Sequence, residues 1–428
     1  MKGIVLTAMA SGHADMNGVS SIEDTGRVRR IMVLALLLPL FGQVMHYMKD
    51  LPPLWALSKA FPVLSLPLAL PVLLSRRPPF LLQWLGVFIW LVLAPSFIAI
   101  FTFDQTFFLG LTAQVKILPM LYAFSFLGLL LVLRPSMDEI RTAFLIWAIV
   151  TFGVLLALWA FAPQSWYTTG YEFGDAPLLS ADDRGNRIRM PMYFGVIAIL
   201  TAFRSQLMRP QLSTAVVLVL ALAVLVGVVK TRATVLATAA TLLTVALIAA
   251  SPRTRIAAFC LAGIGAILVL QIPYVSSAFD TSSASGFDLR WTTVVKAMTF
   301  LGDSPLRWFF GVGTITPLDS AGLSRYFNHF FFLADISWLG IIFEYGVLGA
   351  MMMVSLLVTT LWLAVRVRRE LDSPFLAGLQ DYVLFTLIIS PLYATMTLQP
   401  GEIAVIMATF SYCWLSLRQR GATEEQVP

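Results

Sequence analysis

Several cations stand where an apolar chain has little reason to keep them. Arg232 sits in GVVKTRATVLA, with Val228 and Val229 before it and an apolar stretch directly after it. A guanidinium at a membrane boundary suits the bidentate grip of a phosphate or diphosphate. The competing role is plainer: Lys230 and Arg232 snorkel to lipid headgroups. Other cations fall in two polar segments, Arg184, Arg187 and Arg189 in the first, and Arg290, Lys296, Arg307 and Arg325 in the second. Near them Asp335, His329 and Glu344 can take up a proton. Each has a structural alternative: a helix cap or ion pair for Asp335, an interfacial place among Phe327, Phe330, Phe331 and Phe332 for His329, and a charge partner for Glu344. Lys116, in LTAQVKILPM, is an ionisable group inside an apolar run, which marks function unless it merely snorkels. No acidic pair near these cations has Asp-x-Asp spacing, and the chain has only three histidines, so no metal is expected. Cys260 and Cys413 lie in apolar runs and leave no disulfide framework.

The elements that must position these groups follow from composition. The chain has 428 residues, 58% hydrophobic and only 12% charged, with a mean hydropathy of +0.83. A soluble domain carries about a quarter charged residues, so this chain cannot cover a water-facing surface. The net charge of +6 falls in short clusters between apolar stretches, which reads as topology information and not as a nucleic-acid patch. The expectation is an all-α integral membrane protein in a lipid bilayer.

A spanning helix needs about 20 apolar residues. Twelve stretches qualify, near 31–48, 54–75, 80–103, 108–133, 142–162, 190–203, 212–229, 233–250, 256–275, 332–365, 381–398 and 401–417. The sixth is short, the tenth has room to begin with a re-entrant or peripheral piece, and the last two are parted only around Gln399, Pro400, Gly401 and Glu402. Basic clusters mark every second junction: Arg27/Arg29/Arg30, Arg76/Arg77, Arg134/Arg141, Arg204/Arg209, Arg253/Arg255, Arg366/Arg368/Arg369 and Arg418/Arg420. The positive-inside rule then puts both termini in the cytoplasm, with residues 1–30 and 418–428 as tails around one polytopic domain, 31–417. Two far-side loops, about 163–189 and 276–331, are longer than a connection needs, which points to function. In the larger, Trp291, Val294, Val295 and Met298 recur at helical intervals, predicting an amphipathic helix over 288–300 that lies on the membrane. Gly302 to Pro305 break it, Gly311 and Gly313 form a tight turn, and Gly346 and Gly349 allow close helix approach.

Arg290-Trp291, then Ala297, Ser304-Pro305-Leu306 and Gly311-Val312-Gly313, resembles the C-terminal pattern of O-antigen ligases and Wzy-type polysaccharide polymerases. Glu344, Gly346 and Gly349 are similar to the glutamate–x–glycine–x–x–glycine that follows in those families, and Arg232 to their arginine in a short turn. The resemblance covers pieces of residues 180–350; the first half matches only in hydropathy. Ligases carry a histidine where this chain has Asp335, and His329 lies out of register, so the resemblance leans to the polymerase. Arg184 to Gly195 has the polymerases' arginine–glycine spacing.

That resemblance implies a glycosyltransferase of the bacterial inner membrane. Its donor and acceptor are oligosaccharides linked to polyprenyl (undecaprenyl) diphosphate, and its product is an O-antigen, capsule or exopolysaccharide such as a xanthan-type polymer. It needs no cofactor, and a chain-length regulator or export machinery are its expected partners. Arg232 and Arg290, helped by Arg187, Arg189, Arg184 and Lys116, would hold the diphosphate; Asp335, His329 or Glu344, in that order, would be the base. A surface-glycan ligase and a lipid-linked oligosaccharide flippase or other transporter are the alternatives.

Overall fold

The computed structural model describes residues 25–45, 48–75, 78–170, 177–182, 185–251, 271, 286–316, 326–327 and 331–424. Among them seven helices are long and apolar enough to cross a membrane: Pro52–Leu74, Leu81–Phe103, Met137–Phe161, Leu212–Val229, Arg232–Ala249, Leu333–Glu370 and Pro400–Gln419. Leu74, Leu82, Phe161 and Leu212 are all more than 80% exposed, and water would penalise each fully exposed leucine or phenylalanine by about 1.5–3 kcal/mol. Lipid removes that penalty. The chain is an all-α membrane protein with one small β-hairpin.

Prolines set where the remaining apolar stretches depart from straight spans. The expected fourth span is bent by 65° between Phe107–Lys116 and Leu118–Leu133. Pro119 has no N–H to continue the ladder, and two 3-10 turns, Gln114–Lys116 and Leu118–Leu121, carry the bend. The eleventh, expected over 381–398, is a helix Pro374–Ile389, a turn at Pro391 and a single helical turn Thr395–Leu398. The sixth is a 16-residue helix, Tyr193–Met208. The first, expected over 31–48, is a helix over 25–41. Pro39 leaves the Ala35 carbonyl without its usual i+4 donor, and the Trp147 indole N–H donates to it instead. The ninth, 256–275, lies outside the described residues except for position 271. The expected C-terminal tail is helical as far as Glu424.

Ion pairs tie the helices where charge is buried. Ser136 and Glu139 form a capping box at the start of Met137–Phe161. The Glu139 carboxylate also receives Arg30 Nη2 at 2.6 Å from the helix 25–41. Arg204 grips Asp381 through two bonds of 2.6 and 2.7 Å. Thr201 lies against Gly378, and the Tyr193 and Tyr382 rings meet at 5.2 Å. Tyr193–Met208 and Pro374–Ile389 therefore pack directly against each other. Pro400–Gln419, buried on most sides, is the bundle's central helix.

The helix Ser337–Glu370 is interrupted at Gly346, whose backbone stands at φ 71, ψ 175. That interruption frees the Phe343 and Glu344 carbonyls from their i+4 partners. Val312 N–H donates to the first at 2.8 Å and Gly313 N–H to the second at 3.2 Å. The Gly311–Gly313 segment is thereby fastened to the break, and on its other side Gly313 lies against Pro95 and Ala99 of Leu81–Phe103. Irregular backbone survives at membrane depth only where protein satisfies it.

Candidate functional site

The first polar segment folds into an antiparallel hairpin, Leu179–Asp182 with Gly185–Ile188, in register Leu179↔Ile188 and Asp182↔Gly185. Arg187 on the second strand is buried, 6% exposed, as is Ile188 beside it. Asp182 Oδ2 receives Arg187 Nη1 at 3.4 Å and Arg189 Nη2 at 3.9 Å. Arg189 Nε also donates to Ser180 Oγ at 3.1 Å. One carboxylate thus faces two guanidiniums, which leaves a net positive hairpin.

That hairpin sits on the turn between Leu212–Val229 and Arg232–Ala249. The turn is tight because Lys230 adopts a left-handed conformation, φ 51, and its Nζ donates to the Asn186 carbonyl at 2.9 Å. Arg232 is the first residue of the next helix. A helix N-terminus carries partial positive charge and N–H groups that face outward, so Arg232 adds its charge to an end that is already positive. Arg187, Arg189, Lys230 and Arg232 therefore gather at one end of the bundle. Arg184 lies outside the described residues.

Asp335 stands at the same end. It belongs to a 3-10 turn, Leu333–Ile336, in front of Ser337–Glu370. Ser337 Oγ donates to the Ser390 carbonyl, and Trp338 Nε1 to Ser390 Oγ at 3.0 Å. Tyr193, four residues after Arg189, donates to the Glu402 carbonyl, and the Tyr393 hydroxyl interacts electrostatically with both Glu402 and Asp335. Asp335 does not cap a helix: Ile336 is the N-cap and makes no side-chain capping bond. Its charged neighbour is Arg290, and the Tyr393 hydroxyl also interacts with it. His329 lies outside the described residues.

Arg290 is carried by the amphipathic helix, observed over Gly286–Leu301. The face that holds this helix to the protein differs from the apolar positions noted in the sequence. Thr293, Ala297 and Leu301 are buried, at four-residue spacing, whereas Trp291, Val295 and Met298 are 60%, 46% and 45% exposed. Small Ala297 and Thr293 let the helix lie close to its support, and the bulky side chains face outward as a membrane-surface helix requires. Beneath it Phe103, Phe300, Phe327, Phe331 and Phe343 form a second core. Arg307 Nη1 donates to the Phe300 carbonyl at 2.7 Å, so this cation closes the loop locally.

Glu344 and Lys116 hold each other. Lys116 Nζ lies 2.7 and 2.6 Å from the two Glu344 oxygens, and 5.7 Å from the Tyr345 ring centre. Tyr345 Oη donates to Gln114 Oε1 at 3.1 Å. The partner that a glutamate inside a span requires is a lysine 228 residues earlier in the chain. Both ends of this pair are engaged with each other. Asp182, Gln114 and Tyr345 were not marked by the sequence reading. No spacing rule joins them to their partners, which lie on separate elements.

Among the described residues, no three His, Cys, Asp or Glu side chains gather as metal ligands do. Compared with known protein families and with characterised proteins, the chain matches none.

Proposed function

We propose that the protein is a polymerase that joins polyprenyl-diphosphate-linked oligosaccharide repeat units into a surface or secreted polysaccharide. It works at the periplasmic face of a bacterial inner membrane, with twelve spans and both termini in the cytoplasm. Two observations support the reading: Arg187 and Arg189 of the hairpin lie beside the Lys230–Arg232 turn, and Asp335 has Arg290 as its charged neighbour. An anionic leaving group and a proton acceptor are what transfer of a sugar from a diphosphate demands. The fastening of Gly311–Gly313 to the break at Gly346 adds support, since it joins two separated parts of the motif.

In this reading the acceptor hydroxyl oxygen bonds to the anomeric carbon of the donor. The bond from that carbon to the diphosphate oxygen breaks, and its electron pair leaves with the diphosphate, towards Arg232 and Arg290. The hydroxyl proton passes to Asp335. The arginines meet the growing charge, so the transfer proceeds without a metal.

The test is a gel of lipid-linked glycans and finished polymer from cells with and without the gene. Loss of long polymer with single repeat units retained on the carrier supports a polymerase. Long chains stranded on the carrier would mean a ligase, and units confined to the cytoplasmic face a transporter. Arg232→Ala and Arg290→Ala should each lower polymer output by roughly 10²–10³-fold, the usual loss when one preorganised electrostatic group is removed. Protein level should not change.

A further inference from the structure

Four carboxylates among the described residues are buried within the helices: Glu139, Glu344, Asp381 and Glu402. Three hold a cation directly, Glu139 with Arg30, Glu344 with Lys116 and Asp381 with Arg204. Glu402, 5% exposed, pairs with no ammonium or guanidinium among the described residues. Its neighbours are phenols. Tyr382 Oη donates to Glu402 Oε2 at 2.5 Å, and Tyr193 Oη donates to its backbone carbonyl at 3.3 Å. Tyr393 interacts with Glu402 on one side and with Asp335 on the other.

The backbone around Glu402 is as unusual as its partners. Thr395–Leu398, Gln399, Pro400 and Gly401 break the path between two helices, and Thr395, Met396, Thr397, Pro400 and Gly401 are all buried. Connections normally run over the surface. Here Gln43, itself left-handed at φ 54, inserts its amide, and Oε1 accepts the Gly401 N–H at 2.7 Å. The Tyr122 ring packs on the same glycine. Three polar atoms about this break are buried without a hydrogen-bond partner: Gln43 Nε2, Tyr122 Oη and Thr395 Oγ1. Each is the kind of atom that an enclosed water satisfies.

We infer that Glu402 is an exchangeable-proton site inside the membrane. An uncompensated carboxylate in such a place is expensive by several kcal/mol, whereas a neutral acid with a phenol donor is not. Water at Gln43, Tyr122 and Thr395 brings the proton in and takes it away. The site at Glu402 stands on the buried break and its hydrogen bonds alone, and does not depend on the sugar transfer proposed above. Intramembrane carboxyls of this kind serve as stations in proton relays.

Infrared difference spectra of the wild type minus Glu402→Gln, in H2O and in D2O, test the inference. The expected result is the C=O stretch of an un-ionised carboxylic acid, lost in the variant and shifted to lower frequency in D2O. Loss of carboxylate bands instead, or an acid band that ignores D2O, overturns it. Should Glu402→Gln not fold, the wild type is treated with dicyclohexylcarbodiimide, which reacts with protonated carboxyls in apolar surroundings, and its peptides are mapped by mass spectrometry. An adduct on Glu402 with Glu139, Glu344 and Asp381 unmodified is expected; an unmodified Glu402 refutes the site. Neither measurement involves sugar transfer, so failure of the polymerase reading leaves the outcome legible.

Discussion

Replacing Gly346 by alanine attacks the joint that holds the loop to the bundle. A methyl at this position would lie 2.1 Å from the Phe309 carbonyl oxygen and 2.5 Å from two backbone carbons, of Phe309 and Phe310. These are backbone atoms, so no side chain can rotate away. At φ 71, ψ 175 the residue also occupies a region that only glycine visits freely, and forcing alanine into it costs about 1–3 kcal/mol. If the chain relieves the clash by parting, it gives up the bonds from Val312 to Phe343 and from Gly313 to Glu344, at about 1 kcal/mol each, with two carbonyls left bare. The sum is about 3–5 kcal/mol.

Gly86→Ala is the control, because a methyl there meets nothing within 4 Å and Gly86 lies within the helix Leu81–Phe103. Alanine should be neutral or stabilising at this site by up to about 1 kcal/mol. Thermal unfolding of detergent-purified protein, followed by tryptophan fluorescence, compares the two. At about 2 °C per kcal/mol for larger chains, Gly346→Ala should melt about 6–10 °C below the wild type and Gly86→Ala should not. Equal melting of both variants would mean that Gly311–Gly313 is not docked on the break, and that the geometry of the glycine motif has another purpose.

Three other perturbations follow from single contacts. Lys116→Met or Glu344→Gln alone strips one partner from a pair that is 27% and 11% exposed, which should cost about 3–5 kcal/mol in unfolding free energy; the double variant should lose markedly less than the two losses added, as a double-mutant cycle would read. Asp381→Asn should behave like Glu344→Gln, since it leaves the Arg204 guanidinium facing a neutral amide of the same size, and a native-like melting curve would argue against that pair. Trp147→Phe removes the donor to the Ala35 carbonyl that Pro39 has already orphaned, and about 1–3 kcal/mol of destabilisation is expected. Pro39→Ala in the same background should restore part of it, by returning the missing N–H.

Seven of the expected spans were legible because lipid imposes one requirement on every exposed position, and apolar runs meet it without reference to neighbours. Their straightness was not. Whether Pro119 bends a span by 65° or is absorbed depends on partners that satisfy the freed groups. The site divided in the same way. Residue types flagged Lys116 and Glu344 separately as charges that need a reason, and the physics that made them conspicuous also foretold that each required a partner. It did not say which: 228 residues of chain intervene. The hairpin carried strand-like spacing too short for a periodic signal, and Asp182 showed only as an acid near arginines.

The distribution of partners across the buried acids says more than any one of them. Where a helix bundle in lipid keeps a carboxylate for structure, it supplies a cation, because a lone ion has no water to turn to; Arg30, Lys116 and Arg204 fill that role for Glu139, Glu344 and Asp381. Such pairs lock two helices and exchange nothing. A carboxyl left among phenols, beside a buried break with unsatisfied amide and hydroxyl groups, is not a lock. A glutamine could hold the Tyr382 hydroxyl as well, so cohesion alone does not call for an acid here, and its surroundings give a proton places to go. Structure therefore explains the paired acids, and it is the unpaired one, Glu402, for which a functional explanation is required.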